Sequence, residues 1–66
     1  MIVFDELWKT MKEKGVSTYV LREKYDFDTR AIRRLRNNMN VETDTLDKLC
    51  TILDCPLEKI ATYRKG

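Results

Sequence analysis

Histidine is absent from the sequence, proline occurs once and glycine twice. The chain also lacks a phosphate-binding glycine loop and paired carboxylates with an evident cleft, which argues against an enzyme. Cysteine is scarce as well. Cys50 and Cys55, without any histidine, supply too few ligands for a zinc site. Cys50 falls in line with Leu46, Leu49 and Leu53 and reads as a small core residue. Cys55 falls in a loop beside Pro56, and no disulfide is expected in a reducing compartment. No apolar run approaches the ~20 residues of a membrane span. The basic-then-apolar pattern of a secretory signal is missing too. The expectation is therefore an intracellular, cytoplasmic protein with no cofactor, no metal, no membrane contact and no small-molecule ligand.

What remains is a short, charged, helical chain. Its 66 residues make one domain. A domain of this size buries only about 60% of the surface its unfolded chain exposes, so pairing with a second copy would add stability. Hydrophobic residues at 42% and charged residues at 36% fit a globular chain rather than a disordered one. The formal net charge is only +2, so the placement of charge matters more than its sum. Acids gather at Asp5 and Glu6, at Asp26 and Asp28, and from Glu42 to Asp54, with the arginines concentrated between them.

The apolar spacing repeats a helical period and nowhere sustains a strand alternation. Phe4, Leu7, Trp8 and Met11 predict a first helix over about residues 3–14, with Trp8 in the core and Gly15 as its stop. Ser17 caps a short second helix running to Lys24. Tyr25, Asp26 and Phe27 form a turn, with Tyr25 in or against the core. Asp28 caps a third helix reaching about Asn37. Thr43 or a neighbour opens a fourth, and Pro56 marks a fifth from Leu57 to about Tyr63, with Leu57, Ile60 and Ala61 inward. No repeat or internal linker interrupts this series.

The third helix carries the main functional signal. Four arginines fall between Arg30 and Arg36 with no acid among them. At about 100° per residue, Ile32 and Leu35 share one face while Arg30, Arg33, Arg34 and Asn37 project from the opposite one. Surface helices usually mix signs to gain i,i+4 pairs, whereas here Arg30 faces Arg34 and Arg33 faces Arg36. A guanidinium is always charged, and its planar donor fork fits phosphate oxygens and the guanine edge. Such a helix suits a nucleic-acid groove.

Five short helices with a helix–turn–helix in second and third place resemble the Cro/cI (XRE) family of DNA-binding domains. Gly15-Val16-Ser17-Thr18, Leu21, Phe27-Asp28, Ile32, Leu35 and Arg36-Asn37-Asn38 carry the likeness, without a gap from Gly15 to Asn38. Asn40 to Cys50 and Leu53-Asp54-Cys55 extend it, and it covers about residues 3–63. The chain is similar to a compact subgroup of phage and Gram-positive regulators that consist of little beyond this domain. It departs at Arg22, where the family usually carries a small residue, and at Asp26 and Asn38, where it usually carries glycine.

The resemblance implies an all-α, five-helix, lambda-repressor-like domain, and a sequence-specific transcriptional regulator acting as a repressor. Its partner would be double-stranded DNA carrying a palindromic operator. Thr29, Arg30 and Arg34, with Arg33 beside them, would meet base edges. Ser17 and Thr18 would meet a phosphate at the start of the second helix. Asn37, Asn38 and Asn40 would touch the sugar–phosphate chain. A homodimer is expected through Leu57 to Tyr63, and no sensing or catalytic domain has room. The competing reading is a protein-interaction module, antitoxin-like or a phage accessory protein, that keeps the fold without reading an operator. Arg22, Asp26 and Asp28 motivate it.

Overall fold

Local sequence signals set each helix end. The computed structural model describes residues 1–65. Helix α1 (Asp5–Lys14) has Asp5 and Glu6 in its first turn and Lys12 and Lys14 in its last, each sign matching the helix dipole. Gly15 stops it with φ 69°, and the Val16 N–H reaches back to the Met11 carbonyl at 2.9 Å. Helix α2 (Thr18–Tyr25) starts at Ser17, whose hydroxyl accepts the Val20 N–H at 3.2 Å. Helix α3 (Thr29–Arg36) starts at Asp28, whose carboxylate accepts the Arg30 N–H at 2.9 Å. Helix α4 (Thr43–Leu53) has Asp44 in its first turn. Ser17, Asp28 and the Thr43 start thus stand where the sequence puts them.

Three ends are closed by left-handed residues other than glycine, namely Asp26 (φ 52°), Asn38 (φ 52°) and Asp54 (φ 49°). Asp and Asn adopt this conformation more readily than other L-residues. At Asp26 the chain turns so that the Phe27 N–H bonds the Leu21 carbonyl at 2.9 Å and the Phe27 ring is buried. Asn38 does more than turn the chain. Its Oδ1 accepts the Phe4 N–H at 2.8 Å, tying the end of α3 to the start of α1. Asn38→Gly removes only that acceptor and is expected to cost about 1–2 kcal/mol. Asn38→Ala also strains the left-handed backbone and should cost about 1 kcal/mol more. Urea unfolding followed through Trp8, the sole tryptophan, measures both.

The core draws on every helix: Leu7 and Met11 from α1, Leu21 from α2, Ile32 and Leu35 from α3, Leu49 and Leu53 from α4. Phe4, Phe27 and Ile60 fill the gaps between them. Cys50 packs against this cluster from its edge. The buried Thr10 hydroxyl donates to the Lys59 carbonyl at 2.8 Å and joins α1 to the C-terminal turn.

The C-terminal segment differs from the expected fifth helix. Leu57–Lys59 form a single 3-10 turn, and Thr62–Tyr63 (β2) pair antiparallel with Ile2–Val3 (β1), in the register Ile2↔Tyr63 and Val3↔Thr62. The Arg64 N–H bonds the Met1 carbonyl at 2.7 Å, and the Arg64 guanidinium meets the Asp5 carboxylate. Seven residues fall well below the ~12–15 at which an isolated helix becomes marginal. β-branched Ile60 and Thr62 with Tyr63 instead suit a strand. Pairing also buries Val3, which shortens α1 at its start, and leaves Leu57 exposed rather than inward. Among the described residues the domain is therefore four α-helices with a small terminal ribbon, and its helical class stands while its helix count is corrected. Two aromatic expectations change as well. Trp8 is half-buried against the core, and Tyr25 is exposed.

Candidate nucleic-acid interface

Helix α3 sits on the core through Ile32 and Leu35, which are 6% and 1% exposed. That anchoring turns the rest of the helix outward. Thr29, Arg30, Arg33, Arg34, Arg36 and Asn37 are all exposed. The Arg30 side chain is 82% exposed. Its Nε lies 4.0 Å from an Asp28 oxygen, the limit of an ion pair. A pair so exposed adds little stability and leaves the guanidinium available. Among the described residues the ion pairs are Lys9–Glu6, Arg30–Asp28 and Arg64–Asp5, so Arg33, Arg34 and Arg36 meet no carboxylate.

The candidate residues fall on two flanks of α3. On one flank, Thr18 and Arg22 of α2 meet Thr29, Ile32, Arg33 and Arg36 of α3 around a groove of about 290 Å³. On the other, Arg34 lines shallow hollows with Met39, Asn40, Val41 and Glu42. Ser17 is exposed at the start of α2 and Thr18 is half-buried behind it. The Asn37 amide donates to the Arg33 carbonyl at 2.9 Å, closing the last turn of α3. Asn38 is half-buried, and its oxygen is held by Phe4 rather than joined to the arginines.

Arg22 and Arg36 were not among the expected site residues. Arg22 sits four residues after Thr18 and so shares its face of α2, a spacing that could have flagged it. Arg36 lies with its guanidinium carbon 5.4 Å from the centroid of the Trp8 ring. No local pattern signals that contact, because the partners belong to different helices.

Other chemistry finds no support at named positions. Cys50 and Cys55 are free thiols. Burial, followed by the charges of Cys55, Asp47 and Glu58, pushes the Cys50 thiol up, which disfavours its reactive thiolate. No three potential ligands among His, Cys, Asp and Glu come together to hold a metal ion among the described residues. No described helix is long and apolar enough to cross a membrane.

Two short helices joined by the turn Asp26-Phe27-Asp28, the second presenting a cationic face, define a helix–turn–helix domain. The sequence matches the Cro/C1-type HTH DNA-binding domain over residues 6–66, and the chain belongs to that family. It is a DNA-binding family and not an enzyme family. Among solved structures the fold is similar to that of the transcriptional regulator VanUg (crystal form II). The TM-score is 0.87 at 23% identity, covering 98% of this chain and 87% of that one. At that identity the likeness is one of fold. No curated protein matches the sequence.

Proposed function

We propose that this protein is a sequence-specific transcriptional regulator that lays α3 in the DNA major groove and represses by occupying a promoter. The observation that carries this reading is the row of exposed arginines on α3, of which only Arg30 forms an ion pair among the described residues. Arg30, Arg33 and Arg34 offer bidentate forks to guanine O6 and N7, and Thr29 offers a methyl to thymine. Ser17 and Thr18 present hydroxyls and free backbone N–H groups to a phosphate. Asn37 and Asn38 lie where the sugar–phosphate chain would leave the groove, Asn38 with its amide nitrogen only.

One domain of this size contacts little DNA. A two-fold dimer on a palindrome, with half-sites about 34 Å apart, multiplies the contact. Tyr63, paired with Ile2, and Leu57 on the preceding 3-10 turn remain exposed and supply apolar side chains for the second copy.

The reading as a protein-interaction module draws on Arg22, Asp26 and Asp28, yet the two acids have local work. Asp26 closes α2 in the left-handed conformation and Asp28 caps α3. Asp28→Asn keeps the cap and removes the charge. The expected result is an unchanged unfolding midpoint and a several-fold gain in duplex affinity at low salt. An affinity loss confined to one base position would instead mark Asp28 as a reader of cytosine.

Selection of bound duplexes from a random pool tests the function itself. Enrichment of a palindrome, with retention that falls steeply as salt rises, is expected. A chain that retains no duplex even at low ionic strength is not a DNA-binding regulator.

A further inference from the structure

We propose that Arg22, Arg33 and Arg36 form a seat for a DNA backbone phosphate in the groove between α2 and α3, with Trp8 holding Arg36 in place. The proposal rests on the reading of this chain as a DNA-binding regulator. It assigns Arg22 and Arg36, which the base-reading role of α3 does not use, and shares Arg33 with that role.

Arg22, Arg33 and Arg36 line one groove with the hydroxyl-bearing Thr18 and Thr29, and no acidic residue is among its lining residues. Arg22 and Arg36 are exposed and take part in none of the ion pairs among the described residues. Like charges around a common groove repel one another, and an anion seated between them reverses the sign of that interaction. The buried side of the groove is Ile32, so one wall is apolar and screens less than water. The donors suit a tetrahedral phosphate, and guanidinium forks match its oxygens in pairs.

Trp8 supplies the fixed element. It packs against the core from α1, and the Arg36 guanidinium rests 5.4 Å from its ring centroid. A cation over an indole face is attracted to it and loses part of its freedom before any ligand arrives. Trp8 is therefore a positioning residue. A phosphate contact carries no sequence information, so the seat sets the register of α3 on any duplex.

The test compares wild type with Arg22→Gln, Arg36→Gln and the α3 pair Arg30→Glu, Arg34→Glu. Each is titrated with a duplex enriched by selection and with a scrambled duplex of the same composition, over roughly 50 to 200 mM salt. Arg22→Gln and Arg36→Gln are each expected to weaken binding about three- to tenfold on both duplexes alike. Each should also flatten the slope of log affinity against log salt by about 0.9. Trp8→Leu should weaken binding about two- to fivefold with the slope retained, and Trp8→Phe should restore most of it. Arg36→Gln should cost less in the Trp8→Leu background than in wild type, a coupling that a general loss of structure would not produce.

Variants that bind like wild type with an unchanged slope overturn the seat, while abolition by the α3 pair leaves the regulator reading intact. A loss on the selected duplex alone also overturns it, because that marks base reading. Should Arg36→Gln unfold, Arg22→Gln on the exposed side of α2 still decides the matter. A wild type that binds neither duplex overturns the regulator reading, and the seat with it.

Discussion

Exchange of both Arg30 and Arg34 for glutamate is expected to abolish retention of the protein on duplex DNA while leaving its helical circular dichroism unchanged. Both side chains lie on the solvent side of α3, away from Ile32 and Leu35. Neither is needed for the core. Arg30 has only a loose contact at 4.0 Å with Asp28, and Arg34 has no ion pair among the described residues. Their loss should therefore cost the fold little. At the interface the same change removes two bidentate donors, each worth about 1–3 kcal/mol of discrimination. It also sets two carboxylates against phosphate. The combined loss is about 2–6 kcal/mol before that repulsion counts, enough to remove binding from a measurable range. Titration of a labelled duplex, with circular dichroism beside it, reads both halves of the expectation. Binding close to wild type in the doubly reversed variant would place the DNA contact elsewhere on the molecule.

Leu35→Ala is expected to damage stability and binding together. Leu35 is 1% exposed and is one of the two side chains that fasten α3 to the core. Truncating a buried leucine costs about 2–5 kcal/mol through lost transfer energy and the cavity left behind. A chain of 66 residues holds roughly 3–10 kcal/mol in total, at about 0.05–0.15 kcal/mol per residue. The substitution therefore removes about a fifth or more of the stability. Affinity should fall in proportion to the folded fraction and recover on cooling or in a stabilising osmolyte, because the arginines themselves are unchanged. Urea unfolding monitored through Trp8 gives the stability change. A loss below about 1 kcal/mol would mean that α3 is held by something other than its apolar stripe.

Much of this architecture is legible in the sequence because its signals are local. Ser17, Asp28 and Gly15 act within one helical turn, and the i,i+3 spacing of Ile32 and Leu35 gives the orientation of the arginine face. The terminal ribbon is not legible in that way. Ile2 and Val3 meet Thr62 and Tyr63 across almost the whole chain, and each strand has two residues, too few to show an alternation. Read locally, Leu57, Ile60 and Ala61 keep a helical spacing that the pairing partner overrides. Asn38 illustrates the same division. Its left-handed turn follows from residue type, whereas its bond to the Phe4 N–H, 34 residues away, depends on the assembled fold. The contact of Arg36 with Trp8 belongs to that second kind, and so does the convergence of Arg22 with Arg33 and Arg36.

On the proposed function, the exposed cationic face of α3 is the surface that meets DNA. Backbone amide shifts of the labelled protein, followed during titration with a selected duplex, test it most directly. The largest changes are expected at Thr29, Arg30, Arg33 and Arg34, with a second group at Ser17 and Thr18. Shifts gathered instead on the terminal ribbon around Ile2 and Tyr63, with α3 unmoved, would contradict it.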